Sequence, residues 1–149
     1  MLGRKKNTQV HQAKALLKHY SSLFEHYGPG HNAVQWSSLD AQQRRFSVLA
    51  DFVHPYEHVL DVGCGLGDML PYLRNQHDFT GAYTGLDQVP KFISHARQRF
   101  SHDALADFRT ADVSGLAALP RCDCVVLSGL FNNQLTSLPE PFGNLTGLT

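Results

Sequence analysis

Residues 59–68 read Val-Leu-Asp-Val-Gly-Cys-Gly-Leu-Gly-Asp, an apolar segment that ends in an acid and continues with a glycine at every second position. Glycine is required where the backbone takes positive φ or must approach another group closely. A strand that runs into such a loop, and then into a helix, forms a nucleotide-sized site at the carboxyl end of a parallel sheet. This stretch therefore predicts an α/β fold with a ligand site directly after its first strand.

The glycine spacing separates two families of nucleotide-binding loops. The arrangement Asp61-x-Gly63-x-Gly65-x-Gly67 resembles the first motif of class I S-adenosylmethionine-dependent methyltransferases, with Cys64 inside the loop. In the dinucleotide-binding fingerprint, the third glycine stands three residues after the second, and Asp68 occupies that position here. The spacing favours the methyltransferase motif, and an NAD(P)-binding oxidoreductase fragment is the alternative.

Hydrophobic periodicity predicts how the rest of the chain is organised. Two amphipathic helices come first, over 8–26 and from a capping box at Ser37 to Val53, the second with Phe46, Leu49, Phe52 and Val53 facing inward. Strands are then expected at 58–62, 82–87, 107–111 and 124–128, with helices starting near 66–68 and at Pro90 and a short turn or helix over 114–119. This alternation predicts a doubly wound α/β sheet with right-handed crossovers, and the resemblance to methyltransferases implies a Rossmann-like parallel sheet in the order 3-2-1-4.

Acidic residues stand at the ends of the predicted strands, where a nucleotide would lie. Strand two ends in Asp87, followed by Gln88, and a carboxylate there can accept hydrogen bonds from both ribose hydroxyls. By resemblance, Asp112 would accept from the adenine amino group, and Val113 would offer its backbone N–H to the ring. The resemblance also implies cofactor contacts near the methionine part at Ser128 and Gly129.

The amino-acid end of the implied cofactor, S-adenosylmethionine, carries an α-ammonium and a sulfonium. A carboxylate at Asp61 would favour the ammonium, and loop N–H groups near the next helix would meet the cofactor carboxylate. The region before strand one resembles the N-terminal extension of small bacterial methyltransferases. Its Tyr27 and Trp36 either close over the cofactor or substrate or serve as core and cap residues. Methyl transfer then depends mainly on in-line placement, so no catalytic residue is assigned.

Composition limits the remaining possibilities. The chain has 149 residues, a net charge of zero and three cysteines, which suits one domain in a reducing cytoplasm and does not indicate nucleic-acid binding. No apolar run is long enough for a membrane span. The nine histidines form no ligand set at known metal-site spacings, so no metal site is predicted.

The C-terminal part departs from this pattern. Residues 132–149 contain Asn-x-Leu-x-x-Leu-Pro and resemble a single leucine-rich repeat, which is too short to be an independent domain. We therefore expect residues 1–131 to be a truncated cofactor-binding domain, because strands five to seven of the methyltransferase fold have no counterpart. Strand four would be an apolar edge available for self-association. A non-catalytic interaction protein that uses the tail or this strand is a further alternative, and the methyl acceptor is unassigned.

Overall fold

The computed structural model describes residues 2–30, 32–34, 38–112 and 116–127, with side chains from residue 14 onward. Its elements in chain order are α1 (Leu2–Tyr27), α2 (Leu39–Ala50), β1 (Val59–Val62), α3 (Met69–Gln76), β2 (Tyr83–Asp87), α4 (Pro90–Arg99), β3 (Ala106–Thr110) and β4 (Cys124–Val126). The four strands are parallel and lie in the order β3-β2-β1-β4. The predicted strand order and the two preceding helices are confirmed.

The second helix differs from its prediction at both ends. Its N-cap is Ser38, whose Oγ accepts a hydrogen bond from the Ala41 backbone N–H at 3.1 Å. The helix ends at Ala50 instead of Val53, because the next backbone N–H groups bond three residues back, as in a 3₁₀ turn. The tighter turn leaves the Phe52 side chain 74% exposed, so its predicted inward position was wrong, whereas Phe46 and Val53 are buried as expected.

Side chains on the two faces of the sheet belong to separate clusters. One face, with Val59, Tyr83, Phe108 and Val126, packs in the main core against α2, α3 and α4. The other face, with Leu60, Val62 and Leu86, packs against partly buried residues that include Leu116 and Leu119. Every residue of β1 is buried, as expected for the central part of a parallel sheet. The loop that follows β1 therefore begins at the end of a strand that is buried along its whole length.

The first helix lies against α4. Tyr20 and Phe24 both make edge-to-face contacts with Phe92, at ring-centroid separations of 6.1 and 5.7 Å. Lys91 forms an ion pair with Glu25 beside these rings. Among the described residues, none of the helices has the length and apolar composition to cross a membrane.

Some predicted features fall partly or wholly outside the described residues. The strand predicted over 124–128 ends at Val126, so Leu127 is not part of it, whereas Ser128 and the repeat-like segment 132–149 lie outside the described residues. Of the predicted turn or helix over 114–119, the described part begins at Leu116 and contains no helix.

Candidate functional site

The loop after β1 is built from glycines with positive φ and is bonded to the neighbouring strand. Gly63, Gly65 and Gly67 have φ values of 75°, 55° and 77°, which residues with a side chain rarely adopt. The backbone N–H groups of Gly63 and Cys64 both donate to the Leu86 carbonyl of β2, at 2.8 and 3.0 Å. The loop is therefore held at the carboxyl ends of two adjacent strands, where the sequence placed the site.

Close packing also requires glycine at two of these positions, in addition to the positive φ. A Cβ on Gly65 would lie 2.8 Å from Cγ1 of Val34, and a Cβ on Gly67 would lie 2.8 Å from Cε1 of Phe108. The first contact brings the segment before α2 against the loop, and the second brings in β3. The absence of side chains at Gly65 and Gly67 therefore lets distant parts of the chain reach the loop.

Asp87, the last residue of β2, is bonded directly to the glycine loop. Its Oδ2 accepts from the Gly65 backbone N–H at 2.9 Å, and its Oδ1 accepts from the Val89 N–H at 2.9 Å. Burial raises the pKa of the Asp87 carboxyl, and the backbone N–H groups of Val89, Gly65 and Gln88 partly oppose the rise. The carboxylate predicted to bind ribose is thus hydrogen-bonded to the loop predicted to bind the cofactor.

Asp61 on β1 is buried beneath the same loop. Its side chain is 1% exposed, and Oδ2 accepts a hydrogen bond from the Tyr83 hydroxyl of β2. Its second oxygen, Oδ1, is also buried and has no hydrogen-bond partner among the residues that the structure describes. Loss of solvent raises the pKa of the Asp61 carboxyl from 3.8 to about 7, although the Tyr83 hydrogen bond acts in the opposite direction.

The far end of the loop is fixed by a polar network. Asp68, at the N-cap position of α3, receives a hydrogen bond from Nε2 of the buried Gln42 at 3.2 Å. The Arg99 guanidinium at the end of α4 forms an ion pair with the other carboxylate oxygen of Asp68. Three helices are thereby connected at one loop residue.

The other predicted site residues have varied positions. Cys64 is buried in the loop, and burial raises the pKa of its thiol well above the usual value, as expected for a space-filling cysteine. Asp112 is exposed two residues beyond β3, the strand that pairs with β2. Tyr27 is 56% exposed, and its ring packs edge-to-face on His26 at 4.5 Å. Trp36, Val113, Ser128 and Gly129 lie outside the described residues.

Four residues of this site lie outside the predicted set, namely Tyr83, Val34 and the two partners of Asp68, Gln42 and Arg99. The strand register offers a signal for Tyr83. Val59 pairs with Tyr83 and Asp61 pairs with Gly85, so the side chains of Tyr83 and Asp61 lie on the same face of the sheet. The contacts of Val34 and Gln42 depend on how helices pack, which sequence periodicity does not specify. Within the part of the chain that the structure describes, no group of three or more His, Cys, Asp or Glu residues is placed to hold a metal ion.

Three solved structures of similar fold belong to longer chains. Phosphoethanolamine N-methyltransferase 1 from Haemonchus contortus, in complex with phosphoethanolamine and S-adenosylhomocysteine, has a TM-score of 0.56 at 20% identity over 77% of this chain and 26% of its own. YjhP from E. coli has a TM-score of 0.53 at 22% identity, over 75% of this chain and 44% of its own. A SAM-dependent methyltransferase from Geobacter sulfurreducens, in complex with S-adenosylhomocysteine, has a TM-score of 0.51 at 23% identity, over 72% of this chain and 42% of its own.

The chain thus spans less than half the length of each of these structures. At such identities, the likeness shows a shared fold. A comparison with curated protein sequences finds no match. The family of methyltransferase domains, however, matches residues 59–142, which cover the glycine loop, Asp87 and Asp112. Because this match spans more than half of the 149 residues, the chain belongs to the methyltransferase domain family.

Proposed function

We propose that this chain binds S-adenosylmethionine at the carboxyl edge of its sheet and takes part in methyl transfer to an acceptor. The observation that carries the proposal is the hydrogen bond from the Gly65 N–H to Asp87, which joins the glycine loop to the acid at the end of β2. A ligand that spans loop and strand end would contact both residues. Two structures of similar fold hold S-adenosylhomocysteine, which supports the same class of ligand here.

The described residues fit the parts of this cofactor. Both Asp87 oxygens accept backbone N–H groups, and a carboxylate has about four lone-pair sites in all, so it retains capacity that a ribose hydroxyl could use. Asp61 has a buried oxygen to which none of the described residues donates, and this suits the α-ammonium. Asp112, beyond the neighbouring strand, would meet the adenine amino group.

The protein's contribution to the reaction would be mainly positional. The bound cofactor supplies an activated methyl group on its sulfonium. Asp87 and the glycine loop would fix the ribose and the amino-acid end, so that the methyl group faces the acceptor in a defined direction. Holding both reactants in line accounts for much of the acceleration in such transfers.

Isothermal titration calorimetry with S-adenosylhomocysteine and with NAD⁺ tests this proposal. We expect saturable binding of S-adenosylhomocysteine, weaker in Asp87→Asn by about tenfold to a hundredfold, since a hydrogen bond to a charged group contributes about 1.5–3 kcal/mol. Asp107→Asn is the matched control, because Asp107 is exposed on β3 and pairs with Arg109 at the surface. Binding of NAD⁺ in preference to S-adenosylhomocysteine would instead support the oxidoreductase alternative.

We also propose that β4 mediates weak self-association. Within the described sheet, β4 pairs with β1 and lies at the end of the strand order. An open strand edge can add a strand from another chain. Sedimentation velocity over a dilution series should show a concentration-dependent shift to larger species, and a monomer at every concentration would contradict this proposal.

A further inference from the structure

We propose that Tyr83 is a positioning residue for the Asp61 carboxylate, and that this buried pair makes binding of the cofactor's amino-acid end depend on pH near neutrality. The inference rests on the proposed function, since it concerns the same ligand. Tyr83 lies outside the sequence motif of the glycine loop, and that motif does not predict a dependence of binding on pH.

The geometry of the pair gives the two carboxylate oxygens different roles. The Tyr83 hydroxyl donates to Oδ2 of Asp61, while Oδ1 is buried and has no partner within the described part of the chain. Tyr83 is itself fully buried and its ring packs against Phe108, so the hydroxyl has little freedom to move. The Asp61 carboxyl is therefore held in one orientation, with one acceptor left for a ligand cation.

The surroundings of Asp61 favour its neutral form. Burial disfavours the charge, and the acids Asp87 at the end of β2 and Asp68 at the end of the loop both raise the pKa of Asp61 further. The Cys64 thiol in the loop also interacts with Asp61, and burial keeps the pKa of that thiol high. The hydrogen bond from Tyr83 acts in the other direction, because it stabilises the carboxylate.

These effects give a definite sign to the pH dependence. Below pH 7 the Asp61 carboxyl of the free protein carries a proton, because its pKa is about 7. A cationic ammonium is bound best by the ionised carboxylate, so binding at lower pH must release that proton. Affinity should then fall by about tenfold for each pH unit below 7 and level off above it, as expected for linkage to one proton.

The test is calorimetric titration of the full chain with S-adenosylhomocysteine between pH 5.5 and 8. Methylthioadenosine, which shares the nucleoside and lacks the amino-acid end, is the parallel ligand. We expect affinity for S-adenosylhomocysteine to fall with pH, whereas affinity for methylthioadenosine stays level. Equal pH profiles for the two ligands would overturn the inference. Failure of both ligands to bind at any pH would instead overturn the proposed function.

Tyr83→Phe separates positioning from simple packing. Loss of the donor to the carboxylate should move the midpoint of the pH profile upward by about one unit, so affinity falls about tenfold at pH 6 and little at pH 8. A purely structural loss would lower the affinity equally at every pH, which contradicts a positioning role. Tyr72→Phe is the matched control, since Tyr72 packs at the edge of the same core against Phe46, and its profile should equal that of the unmodified protein.

Discussion

At the scale of single residues, we expect Asp61 to lower the stability of the fold at neutral pH. Its pKa is raised from 3.8 to about 7, so the native state holds a proton that the unfolded chain releases. The free energy of unfolding is therefore highest, with respect to this group, below pH 3.8 and falls as the pH rises towards 7. A carboxylate retained at this stability cost is typical of a group kept for ligand binding.

Asp61→Asn tests this cost directly. The amide does not ionise, so the variant should gain stability over the unmodified protein, and the gain should be about 2 kcal/mol larger at pH 8 than at pH 5. Urea unfolding at the two pH values measures the difference. A gain that is the same at both pH values would show that Asp61 is not protonated in the native state.

Gly85 shows how tightly the sheet packs beneath the loop. It pairs with Asp61, and a Cβ there would lie 2.7 Å from Cδ1 of Phe108 and 2.8 Å from Sγ of Cys64. Because both neighbours are buried, Gly85→Ala should destabilise the protein by about 1–3 kcal/mol through overpacking. In the control Gly30→Ala, the new Cβ has no atom of the described residues within 4 Å, so urea unfolding should be nearly unchanged. Equal effects of the two substitutions would contradict this account.

At the scale of elements, Arg74 connects the end of α3 with the segments before β2 and β3. Its Nη1 donates to the carbonyl oxygens of Phe79 and Gly81 at 2.9 and 2.8 Å, and its Nε donates to Asp103 at 3.1 Å. The guanidinium also lies over the Phe79 ring, 4.7 Å from its centre. The planar group with several donors is what allows these contacts to form together.

Arg74→Met should therefore lower the free energy of unfolding by about 3 kcal/mol, because it leaves two carbonyls and a partly buried carboxylate without their donor. Arg44→Met is the matched control. Arg44 pairs with Asp40 on the exposed face of α2, where both side chains are more than three-quarters exposed, and such pairs contribute less than about 1 kcal/mol. Similar losses in both variants, measured by urea unfolding, would refute the anchoring role of Arg74.

At the scale of the whole molecule, cofactor binding and folding should be coupled, because the site joins the loop, two strands and the start of α4. S-adenosylhomocysteine at one hundred times its dissociation constant should raise the free energy of unfolding by about 2.7 kcal/mol. Thermal unfolding with increasing ligand measures the effect, and NAD⁺ at the same concentrations serves as the comparison. An unchanged midpoint with S-adenosylhomocysteine would argue against binding to the native state.

The sequence alone determined the order of elements and the glycine loop, because these depend on local periodicity and on backbone freedom at glycine, and its resemblance to methyltransferases implied the 3-2-1-4 sheet. It also placed Asp87 at a strand end, where the structure finds it. Only the tertiary structure decided that Tyr83 bonds to Asp61, 22 residues away, and that Gln42 and Arg99 reach Asp68. Those contacts depend on strand register and helix packing. The interactions that determine strand register and helix packing join residues far apart in the chain, so no local sequence pattern specifies those contacts.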